Sequence, residues 1–340
     1  MDYDVLNDRF SNRQKIIKGK RLFVIGGSGS LGEELYKYFS NDNHIYNYSR
    51  DENKHWMMEM KFGTKKLTNI IGDVRDKDKI KQTLLRIKPH HIILAAALKH
   101  IDRCEYDANE CINTNILGIK NVLDSIECLI SDLKDLESVC FISTDKACSP
   151  INIYGMSKAI CEQMICEKSL YIKNVKFVSV RYGNVISSRG SIIPILEEKG
   201  RDNKVKSFTL TDERMTRFIM TLDESVKLIE YAILYGDTGE IIIPKLSSMK
   251  IKDLLELYEK KYNKPIVVTG LRTGEKLDES LINSSQKIKT IDKGKYYHIQ
   301  PSYNVKLLNK DMDDYNSGQC LITKEELEEK LIKLGFLNKL

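Results

Sequence analysis

The chain has 340 residues, of which 41% are hydrophobic and 30% charged, so it can bury one large core with an appended lobe and is not globally disordered. Its net charge of +6 comes from 54 basic and 48 acidic residues that are intermixed along the chain, a pattern that gives no support for a nucleic-acid partner. We expect a globular cytoplasmic protein without a metal site or a membrane partner, because the longest apolar run, IILAAAL at 92–98, cannot cross a bilayer and the eight cysteines lack CxxC spacing.

Short apolar runs alternate with longer amphipathic stretches along most of the chain. Residues 1–19 form a polar leader, and the apolar runs that follow are RLFVIGG, HIYNYS, LTNIIGDV, HHIILAAA and SVCFIST. One intervening stretch carries Ile80, Leu84 and Ile87 at helical spacing before Pro89 ends it. This alternation predicts βαβ units, and therefore an α/β fold with a doubly wound parallel sheet of the Rossmann type.

Beyond about residue 184 the predicted elements become shorter, and turn-forming stretches such as SSRGS, GDTGE and LRTGEK separate them. We therefore predict a first domain over 20–183, which holds the cofactor and the catalytic residues. A smaller lobe over 184–340 would bind mainly the substrate and be partly interleaved with the first domain. The last predicted helix starts at Thr323, where Glu326 completes a capping box.

A glycine-rich turn follows the first predicted strand and opens the first predicted helix. In VIGGSGSLGEELY, the residues Gly26, Gly29 and Gly32 recur at every third position. Glycines let the backbone approach a pyrophosphate, whose charge is held by N–H groups at the helix N-terminus. A tight turn alone needs the same residues for steric reasons, but the strand–turn–helix context favours a dinucleotide site.

The end of the second predicted strand bears on which dinucleotide is bound. YNYSRDENK places Ser49 and Arg50 where the adenosine ribose would lie. An acidic residue there suits NAD, whereas an arginine with a hydroxyl neighbour suits the 2′-phosphate of NADP. We therefore favour NADP, although Asp51 follows directly and Arg50 could be an ordinary loop charge. The GDV stretch at 72–74 is a natural wall for adenine.

Residues 139–145 are predicted to form a strand, and polar residues lie at its end, on the carboxyl edge of the sheet. Thr144 stands at this edge, and Tyr154 and Lys158 follow at i, i+4 spacing on one helix face. A lysine beside a phenol lowers the pKa of the tyrosine, so that the phenolate can take a hydroxyl proton. Together with a nicotinamide that takes the hydride, this set predicts alcohol oxidation.

Oxidation alone needs neither Asp145 nor Lys146, which stand directly after Thr144. Once a sugar carbon becomes a ketone, the proton on the neighbouring carbon is acidic and a lysine could remove it. A protonated aspartate could then assist loss of the hydroxyl one carbon further along. The pair therefore predicts an internal dehydration coupled to the oxidation, and the alternative is a surface ion pair in a loop.

Several stretches together resemble one enzyme family. They are GGSGSLG, SRDE, AAALKH, NTNILGIKNV, STDKACSPINIYGMSK, RYGNVISSRGSIIP, LTDERMTRF, PKLSSMKIKDL and LRTGEKLDE. From about Lys20 to its C-terminus, the chain resembles the extended short-chain dehydrogenase/reductases that act as UDP-N-acetylglucosamine 4,6-dehydratases in polysaccharide biosynthesis. A tyrosine before GxSK without a membrane segment resembles the inverting type, whereas the larger, membrane-anchored retaining relatives tend to carry methionine there.

The resemblance implies a role for each matched residue. Lys146 would be the base at carbon 5, Asp145 the acid for the departing hydroxyl, and Tyr154 with Lys158 the oxidation pair. Thr144 would contact the same substrate oxygen as Tyr154. The residues implied to hold a tightly bound, recycled NADP are Gly26, Ser28, Gly29, Ser30, Leu31, Gly32, Ser49, Arg50, Asp51, Lys54, Asp73, Val74, Ala95, Lys99, Thr114, Asn115, Tyr154, Lys158, Val185 and Arg189. The residues implied to meet the UDP-sugar are Lys99, Lys146, Asn184, Ile192, Thr211, Arg272 and Glu275.

The sequence departs from the family pattern at two places, which leaves the decoration of the sugar open. Thr273 stands where the family usually has proline, and the loop after Lys99 differs. Two other functions also stay open: a UDP-sugar 4-epimerase or 4-reductase on the same fold, and an NADP-sensing scaffold without catalysis. We expect a homo-oligomer, either a dimer or a hexamer.

The substitution Arg50→Glu tests the predicted cofactor preference. It replaces an attraction to the 2′-phosphate by a repulsion, so NADP binding should weaken far more than NAD binding. Titration of the variant with both cofactors measures the difference, and equal losses would show that the specificity residue lies elsewhere.

Overall fold

The computed structural model describes residues 16–272, 274–305 and 313–338. Most of the predicted leader lies outside these ranges, as does Thr273. None of the helices described is both long enough and apolar enough to cross a bilayer.

The elements alternate as the sequence predicts through the first half of the chain. The strands are β1 (Arg21–Ile25), β2 (His44–Ser49), β3 (Leu67–Ile71), β4 (His91–Leu94), β5 (Ser138–Ile142), β6 (Lys176–Val180), β7 (Asn184–Val185), β8 (Phe208–Leu210), β9 (Thr216–Met220), β10 (Ile241–Pro244), β11 (Ser248–Lys250), β12 (Ile266–Val268), β13 (Ser280–Ile282), β14 (Thr290–Lys293), β15 (Tyr296–Ile299) and β16 (Tyr315–Asn316). The helices are α1 (Ser30–Phe39), α2 (Glu52–Phe62), α3 (Lys77–Ile87), α4 (Ile101–Tyr106), α5 (Ala108–Cys111), α6 (Gly118–Cys128), α7 (Ile153–Tyr171), α8 (Ile192–Arg201), α9 (Leu222–Tyr235), α10 (Ile251–Tyr262), α11 (Ser284–Lys287) and α12 (Lys324–Lys333). A π-helical turn at Ile112–Leu117 and 3₁₀ turns at Asp145–Ala147 and Ser317–Gln319 complete the described elements.

A nine-stranded sheet forms the centre of the molecule, in the order β14-β15-β10-β6-β5-β4-β1-β2-β3. Within this sheet, β3, β2, β1, β4, β5, β6 and β10 run parallel to one another. The β14–β15 hairpin lies at one edge, where β15 runs antiparallel to β10 and to β14. The strand order reverses between β1 and β4, which is where doubly wound sheets bind their ligands. The predicted fold class is confirmed.

Helices cover both faces of this sheet, because its central strands are apolar on both sides. Every residue of β4 and β5 is buried, as expected for interior strands of a parallel sheet. Leu84 of α3, Val122 of α6 and Ile165 of α7 pack on one face. Leu35 of α1 and Ile229 of α9 pack on the other face.

The chain beyond residue 184 contributes to two bodies of structure. Helix α9 and the strands β10, β14 and β15 return to the central sheet. The remaining segments, from α8 to α12, enclose a second core that contains Ile193, Phe208, Leu254, Tyr258 and Leu327. The predicted capping box at the start of α12 is confirmed.

A buried ion pair joins the sheet, α7 and the C-terminal segments. Arg181 directly follows β6 and is 0% exposed. Its guanidinium donates to the two carboxylate oxygens of Glu162, on α7, over 2.9 and 2.6 Å. It also donates to the Leu281 carbonyl at 2.7 Å and to Gln286 Oε1 at 2.9 Å. One side chain thereby fixes α7 against β13 and α11.

Glu162→Gln should be strongly destabilising, because it leaves the buried Arg181 charge uncompensated. We expect a loss of about 3–5 kcal/mol in the free energy of unfolding, measured by chemical denaturation. Lys227→Gln is the matched control, because it breaks an exposed ion pair with Asp223. Equal effects of the two variants would show that the buried pair stabilises the fold no more than a surface pair does.

Candidate active site

The glycine turn between β1 and α1 forms one end of a cleft along the carboxyl ends of the parallel strands. Gly26 has a φ of 91°, and a Cβ there would lie 2.5 Å from the Ala96 nitrogen, so only glycine fits. Helix α1 begins with Gly29 as its N-cap, and no side chain caps it. Its first N–H groups are therefore placed to meet an anion.

The cleft has a volume of about 810 Å³ and brings together most of the residues that sequence reasoning assigned to cofactor and catalysis. The predicted cofactor residues that line it are Gly26, Ser28, Gly29, Ser30, Leu31, Ser49, Arg50, Asp51, Lys54, Asp73, Val74, Ala95, Lys99, Thr114, Val185 and Arg189. The other predicted residues that line it are Thr144, Asp145, Lys146, Tyr154, Lys158 and Asn184.

Two predicted cofactor residues do not line the cleft. Gly32 lies inside α1, packed against the Gly27 carbonyl. Asn115 is 1% exposed, and its side-chain nitrogen donates to the Leu98 carbonyl at 3.0 Å and to Ser157 Oγ at 3.1 Å. Asn115 therefore fixes the end of the β4 loop to α7 rather than facing a ligand.

Four predicted substrate residues also do not line the cleft, namely Ile192, Thr211, Arg272 and Glu275. Ile192 begins α8, and Thr211 directly follows β8, where its hydroxyl contacts the Met215 sulfur at 3.6 Å. The Arg272 backbone nitrogen donates to the Glu275 carboxylate at 3.2 Å, and the Arg272 guanidinium lies 3.8 Å from Asp102.

The end of the cleft beside β2, where the sequence predicts the adenosine, carries paired charges. Ser49 Oγ lies 2.9 Å from Ser28 Oγ and 2.6 Å from His55 Nε2. The Arg50 guanidinium is 3.7 Å from an oxygen of Asp73, and the Lys54 ammonium is 2.6 Å from Asp51. Strand β2 thus ends in a hydroxyl with two cations beside it, each already facing a carboxylate.

The loop after β7 crosses the glycine turn and is held there by Arg189. The Arg189 backbone nitrogen donates to Ser30 Oγ at 2.9 Å, and its guanidinium donates to the Ser28 carbonyl and to Glu33. The Lys99 ammonium donates to the Arg189 carbonyl at 2.6 Å. We call residues 186–190 the strap, since they connect the two sides of the cleft.

The end of the cleft where the sequence predicts catalysis is built from the turn after β5 and the start of α7. The predicted strand 139–145 ends earlier than expected, at Ile142, and Asp145 begins a 3₁₀ turn capped by Thr144. This turn packs directly on α7, because a Cβ at Gly155 would lie only 2.2 Å from the Lys146 carbonyl oxygen. The glycine after Tyr154 is therefore what lets α7 approach the turn.

Lys146 lies between two buried carboxylates. Its ammonium is 3.0 Å from Asp145 Oδ1 and 3.2 Å from Glu279 Oε1, and the Asp145 and Glu279 side chains are 1% and 3% exposed. A surface ion pair in a loop, the alternative considered from sequence, is wrong. Sequence reasoning missed Glu279, although it is the last residue of the LRTGEKLDE stretch that carries the family resemblance.

Charges and burial shift the proton affinities of these groups. Although burial lowers the pKa of Lys146, Asp145 and then Glu279 raise it above its ordinary value. Burial raises the pKa of Tyr154 to about 12, against the opposing effects of the Lys146 charge and a hydrogen bond with Thr144. Burial lowers the pKa of Lys158 to about 8.

These shifts correct the expectation that Lys158 lowers the pKa of Tyr154. The Lys158 ammonium donates to the Ile142 carbonyl at 2.8 Å and lies 4.6 Å from the centre of the Phe141 ring. The cation that acts on the Tyr154 phenol is Lys146. Because the two carboxylates raise the pKa of Lys146, its side chain is an ammonium before any reaction begins.

Several buried polar atoms of the cleft wall have no hydrogen-bond partner among the described residues. They are Thr114 Oγ1, Ser143 Oγ, Asp145 Oδ2, Asn184 Oδ1 and Ser191 Oγ. Buried polar groups are almost always hydrogen-bonded to protein or to ordered water, so a ligand or water would supply these partners. The glycine turn at one end and the hydroxyls and amide at the other fit a dinucleotide beside a polar second ligand.

A doubly wound sheet with this glycine turn and with Tyr154 and Lys158 at its carboxyl edge defines an extended short-chain dehydrogenase/reductase. The profile of the polysaccharide biosynthesis protein family matches residues 22–301, and the chain belongs to that family. The family resemblance predicted from the sequence is confirmed.

Three relatives illustrate the range of this similarity. An inverting UDP-N-acetylglucosamine 4,6-dehydratase of Campylobacter jejuni is 37% identical over 86% of each chain. A UDP-glucose 4-epimerase of Rickettsia bellii is 35% identical over 94% of this chain and 97% of its own. The X-ray structure of Pen from Bacillus thuringiensis is 28% identical and superposes with a TM-score of 0.87, covering 95% of this chain and all of that one.

Proposed function

We propose that the protein is a UDP-N-acetylglucosamine 4,6-dehydratase that inverts carbon 5 and works with a retained NADP. Its product would be a UDP-2-acetamido-2,6-dideoxy-4-hexulose, a precursor for deoxy-amino sugars and glycans. The observation that carries the proposal is the Asp145–Lys146 ion pair, in which Asp145 is buried and Lys146 is half-buried and which lines the same cleft as Tyr154.

The oxidation would use Tyr154 as the base for the carbon 4 hydroxyl. A nicotinamide bound in the cleft would supply the redox chemistry, taking a hydride from carbon 4 and returning it at carbon 6. With its pKa raised to about 12, Tyr154 holds its proton at neutral pH, and the nearby Lys146 charge is the group that favours the phenolate. Thr144, hydrogen-bonded to Tyr154, would orient the same substrate oxygen.

The elimination would use Asp145 and Lys146 as acid and base. A ketone at carbon 4 makes the carbon 5 proton acidic, and Lys146 would take it while Asp145 protonates the hydroxyl that leaves carbon 6. The two side chains are already 3.0 Å apart. A base and an acid next to each other suit a substrate that loses a proton and a hydroxyl from neighbouring carbons.

Similarity to the Campylobacter jejuni dehydratase supports this function. The second candidate is a UDP-sugar 4-epimerase, which is favoured by the Rickettsia bellii relative. An epimerase oxidises and reduces carbon 4 without touching carbon 5, so it has no use for a base there. Lys146, held between the buried Asp145 and Glu279 carboxylates, therefore favours the dehydratase.

NADP rather than NAD is supported by the end of β2, where Ser49 is followed by Arg50 and Lys54 lies close by. A homo-oligomer is supported by exposed apolar side chains on α7 and the π-helical turn, such as Met156, Ile160 and Leu117.

Tyr154→Phe should reduce turnover while leaving the affinity for the UDP-sugar nearly unchanged, because the phenol acts in the transition state of oxidation. A loss of about 100-fold or more in kcat is expected from removal of a general base. Steady-state kinetics measures both constants. A raised KM with unchanged kcat would make Tyr154 a binding residue instead.

Lys146→Ala separates dehydration from oxidation. The variant should bind NADP and UDP-N-acetylglucosamine but release no 4-keto-6-deoxy sugar and incorporate no solvent deuterium at carbon 5, as followed by NMR. The unsubstituted protein should incorporate deuterium there and give the L-arabino product. Near-normal exchange in the variant contradicts the assigned base, a D-configured product contradicts inversion, and a 4-epimer without deoxygenation identifies the epimerase.

A further inference from the structure

Glu279 reaches the catalytic end from the C-terminal part of the chain, where it directly precedes β13. Its backbone nitrogen donates to Ser317 Oγ at 2.9 Å, and its carbonyl accepts from the Ser317 nitrogen at 2.8 Å. Arg217 of β9 donates to the Lys276 and Leu277 carbonyls over 3.0 Å each. The backbone that delivers Glu279 is therefore fixed from two sides.

The charged and titratable groups that surround the Lys146 ammonium come from four elements. Asp145 belongs to the same 3₁₀ turn, and Glu279 directly precedes β13, where its carboxylate also lies 4.0 Å from the Lys276 ammonium. Arg217 of β9 opposes the Lys146 charge, and Tyr154 of α7 faces it. Lys146 therefore has one carboxylate from its own turn and a second one from a distant part of the chain.

We propose that Glu279 is a positioning residue which, together with Asp145, keeps one proton within the Asp145–Lys146–Glu279 cluster. A single transfer of that proton from Lys146 to Asp145 then creates both the base and the acid of the elimination. The proposal rests on the proposed dehydratase function. It adds to that function a residue that touches neither carbon 5 nor the leaving hydroxyl and acts through Lys146.

The cluster neither gains nor loses a proton over the whole elimination. In the resting cluster Asp145 and Glu279 are carboxylates and Lys146 is an ammonium. One Nζ–H bond of Lys146 breaks, its electron pair stays on nitrogen, and an O–H bond forms on Asp145 Oδ1 across the 3.0 Å hydrogen bond. Lys146 then takes the carbon 5 proton, and Asp145 gives its proton to the departing hydroxyl, which leaves as water. The resting charges are restored without a proton from solvent.

A shared proton predicts a different pH dependence from that of an independent lysine base. The neutral amine of an independent lysine becomes about tenfold more abundant with each unit that the pH rises toward its pKa. An internal transfer does not change the number of bound protons, so the population of neutral Lys146 stays constant until the cluster loses its proton. The Glu279 carboxylate lies 3.2 Å from the Lys146 ammonium and stabilises its charge, so the cluster loses its proton only at high pH.

Solvent-deuterium exchange at carbon 5 of the purified 4-keto-6-deoxy product measures this dependence, because exchange needs Lys146 but not the oxidation by Tyr154. With NADP bound, the unsubstituted protein should exchange at a rate that changes less than about threefold between about pH 6 and 9. In Glu279→Gln the rate should begin to climb at least about one pH unit lower. Glu279→Asp retains the charge and should keep the flat profile.

Glu240→Gln is the matched control, because Glu240 is a buried carboxylate paired with His298 outside the cleft. It should keep the flat profile even if it lowers the melting temperature. Superimposable profiles for Glu279→Gln and the unsubstituted protein overturn the role of Glu279. A tenfold climb per pH unit in the unsubstituted protein overturns the shared proton, and this holds even if Glu279→Gln fails to fold. Absence of any 4-keto product from the unsubstituted protein would instead refute the dehydratase function itself.

Discussion

The burial of the Arg181 guanidinium is the constraint on which the arrangement of this molecule depends. A charge without partners in a protein interior is prohibitively costly, so the chain must bring acceptors to it. Those acceptors are the Glu162 carboxylate on α7, the Leu281 carbonyl and the Gln286 amide. Leu281 stands two residues after Glu279, and α7 also carries Tyr154 and Lys158. The Arg181 side chain therefore holds together the two segments that carry Glu279 and the Tyr154–Lys158 pair.

Local patterns made much of the fold predictable from the sequence. Apolar runs separated by helical stretches indicated the parallel sheet, and the glycine turn and Tyr154–Lys158 spacing placed a cleft at its carboxyl edge. Such signals act over a few residues, so they can be read from one chain. The early end of β5 was missed, because the backbone after Ile142 still bonds to the neighbouring segment: the Ser143 nitrogen donates to the Val180 carbonyl at 2.8 Å, and the Asp145 nitrogen donates to the Tyr182 carbonyl at 2.9 Å.

The sequence alone could not show which charged side chains from distant parts of the chain lie next to each other. The sequence predicted Lys146 as a base but gave no sign that two carboxylates raise its pKa above the ordinary value. One of them, Glu279, comes from a distant part of the chain. Asn115 has the residue type of a ligand contact, yet its hydrogen bonds are used within the protein. Pairings of this kind depend on tertiary contacts, which no spacing rule reveals.

The strap has a consequence for the kinetics of the cofactor. Arg189 bonds to Ser28, Ser30 and Glu33 on one side of the cleft, and Lys99 bonds to it from the other. If the proposed dinucleotide lies beneath residues 186–190, these bonds would have to open before it departs, which would add to its residence time. In a reaction that returns the hydride within each turnover, a long residence time carries no penalty. The protein and its dinucleotide would then behave as one lasting unit, with only the sugar nucleotide exchanging with solution.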